Sequence, residues 1–155
     1  MSELALECRV VDNRVHDRPS KLFHGAVWPL LSVVLPPILV DRVSAYIKIR
    51  DEAKPSSRDL TLELGAGAFP FHRLYNQGDL VLVDWQRHLI KSNKRLSGVL
   101  RRESKPKPNF IVADNRRLPF VDGAFDKVVS ANGYERDNES LRVLKRSGKR
   151  VCVWG

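Results

Sequence analysis

Cysteine is scarce in this 155-residue chain: Cys8 and Cys152 stand at opposite ends, with no CxxC pair and no Cys/His spacing. That excludes a disulfide framework and a local zinc motif. No metal is expected, and both thiols read as buried and reduced in an intracellular, cytoplasmic protein. Long hydrophobic runs are missing too. The most apolar stretch, Ala26 to Val40, is interrupted by Pro29, Pro36 and Pro37, whereas a spanning helix needs about 20 apolar residues. No membrane association is expected, and the opening residues, with Glu3 and Glu7, do not read as a signal peptide. No internal repeat or low-complexity tract occurs. Acidic residues are outnumbered, 18 against 27 Lys and Arg, for a net charge of +9. The excess is uneven: +2 in residues 1–58 and +7 in residues 59–155. Such asymmetry suits a polyanionic partner, most simply nucleic acid, although many basic proteins have none.

What is present is a periodicity that changes along a chain long enough for one core, so a single domain over 1–155 is expected. Leu4, Leu6, Cys8 and Val10 alternate with Glu7 and Arg9, a strand pattern that a frayed tail would share. Ser20 is placed to cap a helix from about Lys21 to Leu35, ended by Pro36. Pro37 suits the first turn of a second helix to about Ala53, with Leu39, Val43, Tyr46, Ile47 and Arg50 at helical spacing. Residues 1–58 thus read as an N-terminal strand and helical cap, and residues 59–155 as the core. In the core, short apolar runs at Leu60–Leu64, Leu80–Val83, Phe110–Ala113, Lys127–Ser130 and Arg150–Trp154 alternate with helical stretches near 69–77, 86–103 and 135–146. Such runs suit strands buried on both faces of a parallel sheet, so an α/β fold is expected.

Three strand ends carry the chemistry. The first run feeds Gly65-Ala66-Gly67, where a missing Cβ lets the backbone approach a ligand and a following helix offers unpaired N–H groups. Glu63 precedes the glycines, and Pro70 stands where a dinucleotide fingerprint wants a third glycine. Asp84 closes the second run. A carboxylate there suits both hydroxyls of a ribose, and it would equally cap a helix starting at Gln86. Trp85 could cover one face of an adenine or pack in the core. Asp114 follows the third run, where a carboxylate can accept from an exocyclic amine. Leu118-Pro119-Phe120 and the Asp122-Gly123 turn then lead to Phe125-Asp126 and the fourth run.

In this order and spacing, Glu63-Leu-Gly-Ala-Gly67, Asp84 and Asp114-x-x-x-Leu-Pro-Phe-x-Asp-x-x-Phe-Asp126 resemble the signature of the class I S-adenosylmethionine-dependent methyltransferases, most closely the small "type 11" variety. The stretch Leu141 to Trp154 resembles that family's helix ending in "RVLKPGG" before its fifth strand. The likeness covers residues 60–154. It implies a doubly wound, Rossmann-like, mostly parallel sheet in order 3-2-1-4-5, with S-adenosyl-L-methionine as cofactor. It places Glu63, Gly65, Ala66 and Gly67 near the methionine and sulfonium part, Asp84 on the ribose with Trp85 beside it, Asp114 and Asn115 at the adenine, and Ser130 and Ala131 near the methionine amino group.

Departures from the family are as informative. The family's last two strands are lacking after Trp154, so the fifth strand reads as an open edge. Either residues 4–11 cover it, or a second subunit does, in a homodimer or other homo-oligomer or on a partner protein. At Ser130-Ala-Asn132-Gly133 the chain lacks the Asp/Asn-Pro-Pro-aromatic motif of amino-directed nucleic-acid enzymes. Cys152 lies within its strand, not at the tip where cytosine five-position enzymes keep a nucleophile. Methyl transfer is an in-line displacement in which positioning supplies most of the rate. If a proton must leave the acceptor, the candidates are Tyr134, Glu135 and His24, each also readable as non-catalytic. His16, His72 and His88 show no partnering pattern. Arg87, Lys91, Lys94, Arg95, Arg101, Arg102, Lys105 and Lys107 form a run that is either a solvated helix face or a phosphate-binding one. Lys145, Arg146, Lys149 and Arg150 make a second group. The reading is a methyltransferase acting on nucleic acid or an associated protein. A non-catalytic binding module of the same fold and a nicotinamide-dependent oxidoreductase are its rivals.

Overall fold

The structure is a computed structural model that describes residues 36–100, 107–131 and 138–153. The strand pattern at 4–11, the helix expected over 21–35 and Trp154 lie outside the described residues. Helix α1 (Pro36–Ala53) opens on two prolines, tolerated in a first turn whose N–H groups have no intrahelical acceptor. Its buried side is Ala45, Tyr46, Ile49 and Ala53. Ile47 and Arg50, placed on the apolar face by spacing, are exposed instead. The helix ends where Lys54 turns left-handed, φ 46°, with its N–H donating to the Arg50 carbonyl at 3.0 Å.

Among the described residues five strands follow: β1 (Leu60–Leu64), β2 (Asp79–Asp84), β3 (Asn109–Val112), β4 (Phe125–Ser130) and β5 (Leu144–Cys152). They form one parallel sheet in the order β3-β2-β1-β4-β5, the order expected. Successive residues of β2 serve opposite faces: Leu80 and Leu82 join a cluster with Tyr46, Ile49, Tyr75 and Val151, whereas Val81 and Val83 join Leu62, Leu64, Phe125 and Val143. Burial on both faces explains why the β2 run Leu80–Val83 is continuously apolar. The register sets Leu64 beside Val83, Asp84 beside Val112 and Glu63 beside Val129, so the carboxyl ends of β1, β2, β3 and β4 meet along one rim.

The remaining helices are shorter than the periodicity suggests. The stretch 69–77 holds only a 3-10 turn, Phe71–Leu74. His72 in the turn and Tyr75 at its C-cap, three residues apart, share a side and are both buried. Helix α2 (Arg87–Val99) begins one residue late and stops at Leu100. Among the described residues helix α3 is Asn138–Arg142, ending before the expected residue 146, and β5 starts at Leu144 rather than Arg150. The cause is local pairing: Gly123 N–H donates to the Arg142 carbonyl at 2.8 Å and Phe125 N–H to the Val143 carbonyl at 2.9 Å, which pulls the chain out of the helix. The early part of β5 is irregular against β4, where the register shifts between Phe125 and Lys127. No described helix is long and apolar enough to cross a membrane.

Candidate functional site

The rim is built around the loop after β1. Gly65 and Gly67 both have positive φ, 67° and 63°, a conformation in which an L side chain is strained. Ala66 N–H donates to the Val83 carbonyl at 3.0 Å and Gly67 N–H to Asp84 Oδ2 at 3.1 Å, so the loop is tied to the end of β2. A Cβ at Gly67 would meet nothing within 4 Å: this glycine borders open space. From behind, the Asn93 amide donates to the carbonyl oxygens of Ala66, Gly67 and Phe69 at 3.2, 3.1 and 2.9 Å. Asn93 is buried on the inner side of α2 with Leu89, Ile90 and Ser97. Sequence reasoning passed over it. Its signal was a polar amide on an apolar helical stripe.

Glu63 lies fully buried at the end of β1, and each of its oxygens accepts from a phenol: Oε1 from Tyr46 at 2.6 Å and Oε2 from Tyr75 at 2.7 Å. Burial pushes its carboxyl up from 4.5 to about 7; the two tyrosine bonds pull the other way, and the neighbouring Asp84 charge adds to the rise. Both phenols are pushed well above their ordinary range, first by burial and then by the Glu63 charge. The Tyr46 ring stacks on Phe71 and on Tyr75, with centroids 5.1 and 5.9 Å apart. The cluster therefore clamps α1 and the 3-10 turn onto β1.

Asp84 is buried at the tip of β2 and also accepts from Gln86 N–H, through Oδ1 at 2.9 Å. The residue at the N-cap of α2 is Gln86, so Asp84 steadies the turn before that helix without capping it. Trp85 is 53% exposed, which rules out the core-packing alternative and leaves its ring on the surface beside Asp84. At the β3 end, Asp114 is exposed and held by Arg116, with Nη2 to Oδ2 at 2.8 Å; the Arg116 hydrogen bonds keep its carboxyl below the usual range. Exposed pairs of this kind contribute little and rearrange readily. Asn115 is the reverse: 3% exposed, with an Oδ1 that has no hydrogen-bond partner among the described residues.

Ser130 and Ala131 are buried at the end of β4. The Ser130 carbonyl accepts Val153 N–H at 2.8 Å, and the Ala131 carbonyl accepts from Arg42 Nη1 at 3.2 Å. Nothing in the sequence around Arg42 marks it for this contact. Tyr134, Glu135 and His24 lie outside the described residues, as do Arg101, Arg102 and Lys105 of the basic run. Arg87, Lys91, Lys94 and Arg95 are exposed on α2, spaced to lie along one side of it. The second basic group is largely engaged in structure: Lys145 pairs with Asp126 at 2.7 Å, Lys149 donates to the Glu52 carbonyl, and Arg150 donates to Ser140 Oγ at 3.1 Å.

Comparison with known proteins follows the same outline. No family model matches the chain. A curated relative, the demethylmenaquinone methyltransferase of Beutenbergia cavernae, is 29% identical over 108 residues, covering 65% of this chain. The chain spans 42% of that relative's length. Among solved structures, a candidate S-adenosyl-L-methionine-dependent methyltransferase of Methanococcus maripaludis aligns with TM-score 0.62 at 15% identity, over 89% of this chain and 67% of that one. The complex of the Haloferax volcanii Trm112 methyltransferase activator with a candidate methyltransferase aligns with TM-score 0.60 at 18% identity, over 84% and 57%. At these identities the likeness to solved structures is one of fold.

Proposed function

We propose that this chain, which has the Rossmann-like fold of the class I S-adenosylmethionine-dependent methyltransferases, binds S-adenosylmethionine along the rim of β1, β2, β3 and β4 and transfers its methyl group. The observation that carries the reading is the Asp84 carboxylate, buried at a strand tip and bonded to Gly67 N–H of a loop that faces open space. Such crevices at the carboxyl ends of parallel strands are where doubly wound folds take ligands.

The residues present fit the group. Gly65, Ala66 and Gly67 give a side-chain-free approach, Asp84 suits the ribose hydroxyls, and the orphaned Asn115 Oδ1 suits a donor such as an adenine amine. Exposed Trp85 would cover the base, and Asp114 would exchange its Arg116 partner for the same amine. Glu63 serves this site through the loop that follows it, since both its oxygens are held by tyrosines. S-adenosylmethionine, when bound, would supply an electrophilic methyl group with a neutral thioether as leaving group. The protein's task is to align the acceptor and exclude water, with Tyr134 and Glu135 as the candidates for taking a proton.

For the acceptor we infer nucleic acid or a protein that accompanies it. The support is the row of exposed cations on α2, Arg87, Lys91, Lys94 and Arg95, with Lys107 beyond it. A second subunit at the β5 edge, another copy or a partner protein, belongs to this reading. In the described sheet β5 has a neighbour on one side only, and the Haloferax fold neighbour was solved with an activator. One observation favours a second reading, a binding module without catalysis: Glu63 and Asp114 already have protein partners for their carboxylates.

Calorimetric titration separates these readings. S-adenosylmethionine is expected to bind the wild type, and Asp84→Ala to bind it about tenfold or more weakly, the loss of a charge-assisted contact of about 1.4 kcal/mol or more, with an unchanged circular dichroism spectrum. No binding at millimolar cofactor ends the methyltransferase reading; equal affinity in the variant ends the Asp84 assignment. Binding without methyl transfer to any supplied nucleic acid leaves the module reading in place.

A further inference from the structure

Asn93 holds the glycine loop from behind with a single side chain. Its amide carries two N–H donors and reaches three carbonyl oxygens, those of Ala66, Gly67 and Phe69, at 3.2, 3.1 and 2.9 Å. Carbonyls only accept, so the NH2 end must face the loop. Oδ1 then faces Ser97, whose hydroxyl donates to it at 3.2 Å. The side chain is thereby oriented from both ends. At 1% exposure it is out of reach of bulk water, which cannot stand in for it.

The decisive unit is the peptide that joins Ala66 to Gly67. It is trans, so its carbonyl and its N–H point in opposite directions from one rigid plane. The carbonyl goes to Asn93, and the N–H goes to Asp84 Oδ2 at 3.1 Å. Asp84 Oδ1 accepts from Gln86 N–H, and Gln86 stands at the N-cap of the helix that carries Asn93. A closed ring of contacts therefore runs from Asp84 through α2 and Asn93, across one peptide, and back to Asp84. Gly67 makes that ring necessary. With no Cβ and a φ of 63°, it lets the preceding peptide turn over at little cost. Turned over, the peptide would set the Ala66 carbonyl against the Asp84 carboxylate, and the two oxygens repel.

We propose that Asn93 is a positioning residue for the cofactor site: by pinning the Ala66–Gly67 peptide it keeps the Gly67 N–H on Asp84 and aims that carboxylate at the ribose. The assignment rests on the cofactor reading above. It adds to it a residue that touches no ligand and acts through one peptide plane. The buried side of α2 thus governs ligand affinity, while its exposed side carries the cations.

Calorimetry with S-adenosylhomocysteine tests this in a double-mutant cycle on the whole chain. Asn93→Ala should bind about tenfold more weakly than wild type, and Asp84→Ala about tenfold or more. The double variant should match Asp84→Ala within about twofold, because Asn93 acts only through that carboxylate. Two losses that multiply overturn the assignment and leave the cofactor reading standing, as does an unchanged affinity in Asn93→Ala. Asn93→Asp gives a second readout. Burial against three carbonyls raises its carboxyl pKa, and only the protonated form donates. Relative to wild type, its affinity should recover as pH falls from about 8 to about 5, while that of Asn93→Ala stays flat. A flat profile in Asn93→Asp overturns the assignment. Should the Asn93 variants not fold, Ser97→Ala decides, since it frees the amide to turn without removing it. A loss of about threefold in the wild-type background and none beside Asp84→Ala supports the proposal; equal loss in both, or loss in neither, overturns it. A wild type that does not bind S-adenosylhomocysteine removes the cofactor reading and this assignment together, a different result from any of these.

Discussion

Glu63 shows how one residue can be both motif and keystone. Its position before the glycines was readable, but its environment was not: Tyr46 and Tyr75 lie 17 and 12 residues away in sequence, and only the packing of α1 and the 3-10 turn brings them to the carboxyl. The consequence is a pH dependence of stability with a definite sign. The folded protein holds the Glu63 proton up to about pH 7, whereas the unfolded chain releases it near 4.5. The folded carboxyl is raised, so its contribution is fully present below about pH 4.5 and is lost as pH rises through about 7. The loss totals about 3 kcal/mol for a shift of this size. Glu63→Gln should flatten that stretch of the stability curve. Urea midpoints at about pH 5 and about pH 8 check it: a wild-type decline absent from the variant is expected, and equal slopes would remove Glu63 as its source. Arg42 gave no sequence signal and Asn93 only that of a polar amide on an apolar helical stripe. Each acts on a backbone carbonyl distant in sequence, and carbonyls carry no sequence signal.

Among the elements, strands were more legible than helices. β1 is legible to the residue because Leu60, Leu62 and Leu64 make a short leucine-rich run bounded by Asp59 and Gly65. β5 was misjudged because Lys145, Arg146 and Lys149 look like a helix end, while the pairing of residues 142 and 143 with the Gly123–Phe125 turn decides the outcome. Arg142 reinforces that turn, with Nη1 on Asp122 and on the Phe120 carbonyl and Nε on Glu139; the latter bond holds the Glu139 carboxyl down at about 2. The Leu-Pro-Phe-x-Asp segment is thus locked from α3, a role its sequence did not disclose. The start of β2 depends on a tighter contact. A Cβ on Gly78 would lie 2.5 Å from the Asp59 carbonyl oxygen and 2.6 Å from that of Ser56, where the linker passes before β1. Backbone atoms cannot yield as a side chain does. Gly78→Ala should therefore cost about 1–3 kcal/mol and lower the thermal midpoint. The rim lies at the opposite ends of these strands, so affinity for S-adenosylmethionine should persist in the folded fraction. An unchanged midpoint would show that the linker moves freely.

At the scale of the whole molecule, charge is divided between groups that hold the fold and groups that face solvent. Three of the four cations at β5 are engaged with Asp126, the Glu52 carbonyl and Ser140. The α2 row is different: Arg87, Lys91, Lys94 and Arg95 are exposed, and none takes part in an ion pair described in this structure. Composition gave the excess of +9 but could not separate these two populations, because pairing depends on which carboxylates the fold brings near. α2 begins directly after Asp84 and Trp85, so a polyanion lying along its exposed face would run beside the proposed cofactor site. If those four side chains each neutralise a phosphate, affinity for duplex nucleic acid should fall with a log–log salt slope of about −3.6. Reversing Lys91 and Lys94 to Glu should weaken binding and reduce the slope by about 2, and should leave S-adenosylmethionine affinity untouched because both lie on the exposed face of α2. Fluorescence anisotropy across a salt series measures both quantities. Reversing Arg146 to Glu serves as a control of exposed charge on β5. A loss in that control equal to the loss from one α2 reversal would mean that net charge alone attracts the polyanion, and binding that ignores salt would remove nucleic acid as the acceptor.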